Sequence, residues 1–443
     1  MAPRFDRLAN MSEPGLSLHA ELVAMAREST ARAGAGFIAS YALSFLGLGM
    51  ALFVPIQVLL AQQMEQIVPA NKVVALGWVT GIGAFVSAFA GLICGAWSDR
   101  TTSRWGRRLP WSVGSAIAGA CALVVLGRQH SLWGVTIAWC AVQFTLSAML
   151  TALMAVLPDC IPVPQRAMCS AWTAIAGTLG IVLGTLLVTV LVSGIDRGYI
   201  AIATALVLCM LPFALGSRPG PSERPFQGTK KSRDILHDIW TLRDLWTNPH
   251  RYRNLNRAWW MIFLVQLGSA MGTVFLLYFL RDAVHFEQIF PGRKAEQGLL
   301  LLVLVYTAGV TVGALFSGYV SDRTQRRKRN ILFATLLMSA SALALALWPF
   351  WLVMVGAAAS LGLGYGAYVA AEQALISQIL PSPDAFGKDL GIFNIASSMP
   401  LVLAPAIAAL LVTHLEGYTF LYLSTAVITA GGGWLATGVR ERQ

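Results

Sequence analysis

Twelve long apolar runs follow one another along the 443-residue chain, and they constrain its fold more than any other feature. A helix needs about 20 mostly apolar residues to cross a hydrocarbon core about 30 Å thick. Charged residues make up only 12% of the sequence, against roughly 25% in soluble domains. The runs therefore predict an all-α membrane protein with twelve transmembrane helices. We place these spans at 34–61, 74–97, 110–127, 132–158, 167–194, 198–217, 258–281, 298–320, 331–348, 351–380, 389–413 and 418–438.

The basic residues predict the orientation of these spans. With a cytoplasmic N-terminus, inner segments hold 26 of the 32 Lys and Arg residues, and outer loops hold six. Lys and Arg concentrate in cytoplasmic loops, so the bias predicts that both termini are cytoplasmic and that the protein lies in the cell membrane. The net charge of +11 has the same cause, and it gives no reason to expect a nucleic-acid partner.

A repeat divides the chain into two halves. The run Gly95-Ala-Trp-Ser-Asp99-Arg100-Thr recurs as Gly318-Tyr-Val-Ser-Asp322-Arg323-Thr, at an offset of 223 residues. Two homologous bundles with a substrate cavity between them are a known transporter plan. The predicted domains are a cytoplasmic tail at 1–33, a six-helix bundle at 34–217, a cytoplasmic linker at 218–257 with an amphipathic helix at 234–246, a second six-helix bundle at 258–438 and a tail at 439–443.

The loop between spans 2 and 3 carries a recognisable motif. Gly95-x-x-x-Asp99-Arg100 followed by Gly106-Arg107-Arg108 resembles the loop signature of the major facilitator superfamily. The longer run from Ser98 to Pro110 is similar to the branch that holds plant sucrose transporters and the glycoside–pentoside–hexuronide cation symporters. The resemblance implies two pseudo-symmetric six-helix bundles, alternating access, and transport of a small solute driven by protons or sodium.

The repeated loop residues predict a gating role, because positive-inside bias explains the Arg residues but not a Ser-Asp-Arg-Thr run that occurs twice. The alternative is that they only set the topology. The predicted gating loop consists of Gly95, Asp99, Arg100, Arg104, Gly106, Arg107, Arg108, Gly318, Asp322 and Arg323.

Glu372 is the only acidic residue deep within a predicted span. It lies nine residues before Pro381, which at 1.5 Å per residue is about 13 Å from the inner end of its helix. A charge at this depth is costly, so such a group is expected to be neutral, paired or facing a water-filled cavity. Glu372 is therefore the predicted site of proton coupling. The alternative is a protonated side chain that only hydrogen-bonds between helices.

Neutral polar side chains in spans 1, 4, 7, 10 and 11 are the predicted lining of the substrate cavity. Amide and phenol groups beside aromatic rings suit a neutral polyhydroxylated ligand, although each one is more often an interhelical hydrogen bond. The candidates are Tyr41, Gln57, Gln143, Gln266, Tyr278, Tyr365, Tyr368, Gln373 and Asn394.

Two functions remain open at this point. The first is proton-coupled uptake of a sugar or glycoside. The second is proton-driven efflux of a drug or secondary metabolite, which is favoured because span 4 (150–156) lacks the Arg and Asp that sucrose transporters carry there. No nucleophile–base pair or metal cluster indicates an enzyme, and no metal or cofactor is expected. The predicted partners are a small-molecule substrate, a coupling ion and the lipid bilayer, and the protein is expected to act as a monomer.

A run of alternating glycines lies within predicted span 10. Gly362-x-Gly364-x-Gly366 resembles the spacing of nucleotide-binding loops, but it lies inside a span with no strand before it. It therefore indicates helix flexibility.

Overall fold

The computed structural model describes residues 33–101, 103, 105–106, 108–192, 194–216, 253–324, 327–379, 386–414 and 417–439. The predicted amphipathic helix at 234–246 and nearly all of both predicted tails lie outside these residues.

The described residues are helical with short connections, and no strand occurs among them. Eleven helices there are long and apolar enough to cross a membrane, and a bent pair makes a twelfth. In lipid every backbone N–H and C=O must be satisfied within the segment, so apolar runs of this length form helices. Numbered as predicted, spans 1 to 6 are Ala35–Ile67, Lys72–Arg100, Leu109–Gly127, Leu132–Cys160, Val163–Leu186 and Ile195–Gly216. Spans 7 to 12 are Arg253–Val274 with Leu276–Asp282, Ala295–Thr324, Arg327–Leu347, Trp351–Ile379, Phe386–His414 and Tyr418–Thr437.

Three spans depart from the single regular helices that the sequence predicts. Span 5 ends in a π-helical turn at Leu187–Leu191. Span 1 continues past residue 61 to Ile67, and it contains a π-helical turn at Pro55–Leu59. Span 7 bends by 44° where Arg253–Val274 gives way to Leu276–Asp282. The π turn of span 1 packs against both parts of span 7. Spans 1 and 7 therefore meet each other across the boundary between the halves.

The two halves have the same pattern of helix packing. In the first half span 1 packs on spans 5 and 6, span 4 packs on spans 2 and 3, and span 3 packs on span 6. In the second half span 7 packs on spans 11 and 12, span 10 packs on spans 8 and 9, and span 9 packs on span 12. Each pair in one half has its counterpart six spans later, so the repeat in the sequence is a repeat in the fold.

The halves contact each other through two further helix pairs, spans 2 with 11 and spans 5 with 8, which the repeat also relates. The contact of spans 2 and 11 is close near Gly77. A Cβ atom added there would lie 2.8 Å from the Ala409 Cβ and 2.9 Å from the Pro405 carbonyl oxygen. Small residues allow such approach in a membrane, where packing rather than a hydrophobic force holds helices together.

Glycines also join spans 8 and 10. A Cβ added at Gly309 would lie 2.7 Å from the Ala359 carbonyl oxygen, and one added at Gly366 would overlap the backbone of Val310. Gly362 likewise faces the backbone of span 8, whereas Gly364 faces the Ala334 carbonyl of span 9. The Gly-x-Gly-x-Gly run thus places span 10 close to two neighbours at once, which is a packing role.

Candidate transport site and outer gate

One face of span 10 carries the deepest acidic residue of the described chain. Tyr365, Tyr368 and Glu372 are spaced three and four residues apart, which places their side chains along one face of the helix. Gly364 and Gly366, on other faces, hold this helix against spans 9 and 8. The face that remains points towards span 7, where the Tyr365 hydroxyl donates a hydrogen bond of 3.3 Å to Gln266 Oε1.

A third tyrosine extends this cluster. Tyr306 of span 8 lies beside Tyr365, with 6.4 Å between the ring centroids, and the same distance separates Tyr365 from Tyr368. The sequence analysis did not select Tyr306, because a single Tyr in an apolar run is more often packing than a site. Its proximity to Tyr365 is visible only once spans 8 and 10 are paired.

Glu372 is buried, with 8% of its surface exposed. Among the described Lys and Arg residues none forms an ion pair with it. The hydroxyl of Tyr368, one turn away on the same face, is buried beside Glu372. Spans 7, 8 and 10 thus bring together one carboxyl group, three phenol groups and one amide group.

The other four described cavity candidates lie outside this cluster, and two of them, Tyr41 and Gln143, are buried within the first half. The Tyr41 hydroxyl donates a 2.7 Å hydrogen bond to the Leu153 carbonyl, and the ring is buried among Phe37, Phe45 and Phe213, so Tyr41 joins spans 1 and 4. Gln143 is buried on span 4, where it packs against Gly83 of span 2.

Gln57 lies in the π turn of span 1, and its Oε1 is buried with no hydrogen-bond donor among the described groups. It therefore has an acceptor free for a ligand at the level where span 1 meets span 7. The side chains of Gln373 and Asn394 lie outside the described residues.

The predicted gating loop is described in part. Side chains of Asp99, Arg100, Arg104, Arg107, Asp322 and Arg323 lie outside the described residues. Arg108 is described, and its Nε pairs with Asp159 Oδ2 of span 4 at 2.9 Å while its Nη1 donates to Ser98 Oγ at 3.0 Å. Gly95 lies against Thr151 of span 4, 3.2 Å from its Cγ2 when a Cβ is added. The loop after span 2 is therefore fixed to span 4 of the same half.

The opposite end of the bundle carries a polar network that the sequence analysis did not predict. We call this end, which holds the connections between spans 1 and 2 and between spans 7 and 8, the outer end, following the predicted orientation. We call its five charged residues the outer gate. They are Glu65, Lys72, Arg281, Asp282 and Glu296.

The outer gate joins the two halves. Lys72 Nζ lies 2.8 Å from Asp282 Oδ1, and Arg281 pairs with Glu65. Tyr278, predicted as a cavity residue, belongs to this region, because its hydroxyl donates a 2.8 Å hydrogen bond to the Ala61 carbonyl. Further links between the halves at this end are the hydrogen bonds from Gln62 to Glu296 and from Lys72 to Asp282. The structure is therefore closed at the outer end.

These features define a class of protein: a membrane transporter of two repeated six-helix bundles, closed at one end, with a polar cluster in its interior. Comparison with known proteins places the chain within that class. The model of the Major Facilitator Superfamily matches residues 37–300 and 289–443. The chain belongs to the major facilitator superfamily.

Two individual proteins are similar to it. The inner membrane symporter YicJ of Escherichia coli (strain K12) is 29% identical over 169 residues, which cover 34% of this chain and only 36% of the symporter. A crystal structure of a point mutant of the nucleoside transporter NupG has a TM-score of 0.70 and 14% identity, and the match covers 92% of this chain and 100% of that one. The second similarity is one of fold.

Proposed function

We propose that this transporter moves a small uncharged polar solute, such as a sugar or glycoside, together with protons, and that Glu372 carries the proton. The observation that supports this most directly is the buried Glu372 carboxyl without a basic partner among the described residues, beside Tyr365 and Tyr368. A carboxylate at this depth is costly unless it is neutralised, and a proton neutralises it at the least structural cost.

The solute site that accompanies this proposal lies beside Glu372. Phenol and amide groups both donate and accept hydrogen bonds, and aromatic rings pack on the apolar face of a sugar. Tyr365, Gln266 and Tyr306 supply such groups, and the Gln57 acceptor supplies another from the first half. The similarity to a symporter over a third of the chain agrees with coupled transport. The proposed location is the cell membrane, with both termini in the cytoplasm and the monomer as the working unit.

Efflux of a lipophilic compound is the second candidate. The middle of span 4 favours it, because Ala152, Leu153 and Val156 are buried and apolar and supply no hydrogen bond to a polyhydroxylated solute. Proton exchange at Glu372 would drive either direction of transport. The identity of the transported substrate therefore distinguishes uptake of a polar solute from efflux of a lipophilic compound.

Proteoliposomes with an imposed pH gradient test the proposal. The protein would be reconstituted with a panel of labelled sugars and glycosides, with a sodium gradient in a parallel series, and compared with Glu372→Gln and with Asp196→Asn, an exposed acid at the outer end. We expect accumulation driven by the pH gradient, lost in Glu372→Gln and retained in Asp196→Asn. Exchange of labelled for unlabelled solute should persist in Glu372→Gln, because exchange needs no release of the proton.

The same preparation separates the outcomes. Normal accumulation by Glu372→Gln with an unchanged pH profile would exclude Glu372 as the proton carrier. Uptake of a lipophilic amine into inverted vesicles, lost in Glu372→Gln and with no sugar accumulated, would establish the efflux candidate instead. Accumulation that follows only the sodium gradient would replace the proton by sodium.

A further inference from the structure

Each cation of the outer gate has one partner on its own half and one on the opposite half. Lys72 lies 3.1 Å from Glu65 Oε1 in the first half and 2.8 Å from Asp282 Oδ1 in the second. Arg281 pairs with Glu296 in its own half and with Glu65 in the first half. The four ion pairs thus comprise two within halves and two between them.

The pairs within halves would survive if the outer ends moved apart. Glu65 and Lys72 are joined by a short connection at the outer ends of spans 1 and 2, and Arg281 and Glu296 flank the connection between spans 7 and 8. Asp282 would keep the 3.0 Å hydrogen bond from the Tyr418 hydroxyl, which also belongs to the second half. Of the four ion pairs, separation would break only Lys72–Asp282 and Arg281–Glu65, and it would also break the hydrogen bonds from Gln62 to Glu296 and from Tyr278 to Ala61.

This arrangement matters because one acid of the gate is buried and the other four charged side chains are only partly exposed to water. The Glu296 side chain is 5% exposed, and its Oε2 has no hydrogen-bond partner among the described groups. An ion that is buried and loses its only partner destabilises a protein strongly, whereas an ion that changes partners does not. A gate made only of pairs between the halves would leave four ions unpaired on each opening.

We propose that the outer gate opens by exchange of ion-pair partners, in which Lys72 and Arg281 release Asp282 and Glu65 across the gate and keep Glu65 and Glu296 on their own halves. The within-half acid Glu296 stabilises the open state, and the opposite-half acid Asp282 stabilises the closed state. The proposal rests on the ion pairs at the outer end and is independent of Glu372, so failure of one proposal leaves the other intact.

The two acids therefore give opposite predictions for the same change of charge. Asp282→Asn removes a pair that exists only when the gate is closed, so it should raise the population of the open state by about two- to five-fold, the range for a partly exposed ion pair. Glu296→Gln removes the partner that Arg281 keeps when the gate opens, so it should hold the gate closed. Asp196→Asn, which removes the same charge at an exposed position of the outer end, is the matched control.

Hydrogen–deuterium exchange of the full-length protein in lipid nanodiscs measures the gate without a substrate. The readout is deuterium uptake in peptides covering Leu60–Ile67 and Leu276–Asp282. Asp282→Asn should exchange faster there than the wild type, while Glu296→Gln exchanges as slowly as the wild type or more slowly. Peptides of span 3 should be unchanged in all variants, which separates gate opening from loss of the fold.

Two results would overturn the proposal. Faster exchange in both variants would mean that the acids act as simple ties between helices. No change in Asp282→Asn would mean that the ion pairs between the halves do not hold the gate closed. If Glu296→Gln fails to assemble, the pair Glu65→Gln and Glu65→Asp provides the second test, because Asp keeps the charge and should restore exchange to the wild-type rate.

Discussion

Three glutamines at the outer end of span 1 have different roles, although they are close in sequence. Gln62 donates a 2.6 Å hydrogen bond across the gate to Glu296 Oε1. Gln63 turns into its own half, where its Nε2 donates to the Leu126 and Gln129 carbonyls and its Oε1 accepts from the Tyr199 hydroxyl. Gln66 is exposed. The sequence offers three similar amides, and only the packing of spans 1, 3 and 6 tells them apart.

Gln63→Leu tests the inward-facing glutamine. The leucine fills a similar volume but leaves two carbonyls without their donor and a buried tyrosine without its acceptor, at a cost of about 1–3 kcal/mol for each buried group left unpaired. We expect a clear fall in the melting temperature of the purified protein, measured by circular dichroism in detergent. Gln66→Leu, three residues away, should melt like the wild type. Equal melting temperatures for both variants would contradict the role assigned to Gln63.

At the scale of the elements, the contact between spans 8 and 10 depends on glycine. Backbone faces backbone along this contact, at Gly309 and Gly313 of span 8 and at Gly362 and Gly366 of span 10. Backbone atoms cannot move aside as a flexible side chain can, so any Cβ here separates the two helices. That separation would also move Tyr306 away from Tyr365, and the glycines therefore position the candidate transport site.

Gly366→Ala and Gly356→Ala form a matched pair on span 10. The first adds a methyl group against the Val310 carbonyl, whereas the second adds one with no other atom within 4 Å. We expect Gly366→Ala to cost about 1–3 kcal/mol, the range for overpacking, and to lower the melting temperature. Gly356→Ala should be neutral or slightly stabilising, because alanine favours helix more than glycine does. Similar thermal stability of the two variants would show that the contact tolerates a Cβ.

At the scale of the whole molecule, the structure is one state of a symmetric pair of bundles. Spans 2 with 11, 5 with 8 and 1 with 7 are helix pairs between the halves, and the hydrogen bonds from Gln62 to Glu296 and from Tyr278 to Ala61 join the halves at the outer end. Closure of the molecule at the outer end fits a transporter that alternates between two states. Which side of the membrane the outer end faces depends on the orientation.

Reporter fusions test the orientation predicted from the basic residues. Green fluorescent protein fused after Gln443 should fluoresce in a bacterial host, because it folds in the cytoplasm. Alkaline phosphatase fused after Arg197, in the first turn of span 6 at the outer end, should be active, because it needs an oxidising compartment. Phosphatase activity at Gln443 and none at Arg197 would reverse the orientation, and with it the assignment of the outer gate.

Much of the fold could be predicted from the sequence. Twelve apolar runs of the right length allow only helices in lipid, and the repeated Gly-x-x-x-Asp-Arg run divides them into halves. The break in span 7 at Phe275 was not predicted, because no proline marks it. Of the candidate site, Glu372 and its neighbours Tyr365 and Tyr368 follow from helical spacing alone, and the contact of Tyr365 with Gln266 joins two residues that the sequence analysis had already selected.

The sequence by itself determined the properties that depend on how each segment interacts with the bilayer. These are the number and type of the elements, their repeat, and the position of the buried acid within span 10. Only the tertiary structure decided which helices pair, that the Gly-x-Gly-x-Gly run packs two neighbours, and that Lys72 and Arg281 each divide their charge between the halves. Hydropathy acts on each residue separately. An ion pair such as Lys72–Asp282 joins residues 210 positions apart, so its existence depends on how two bundles meet.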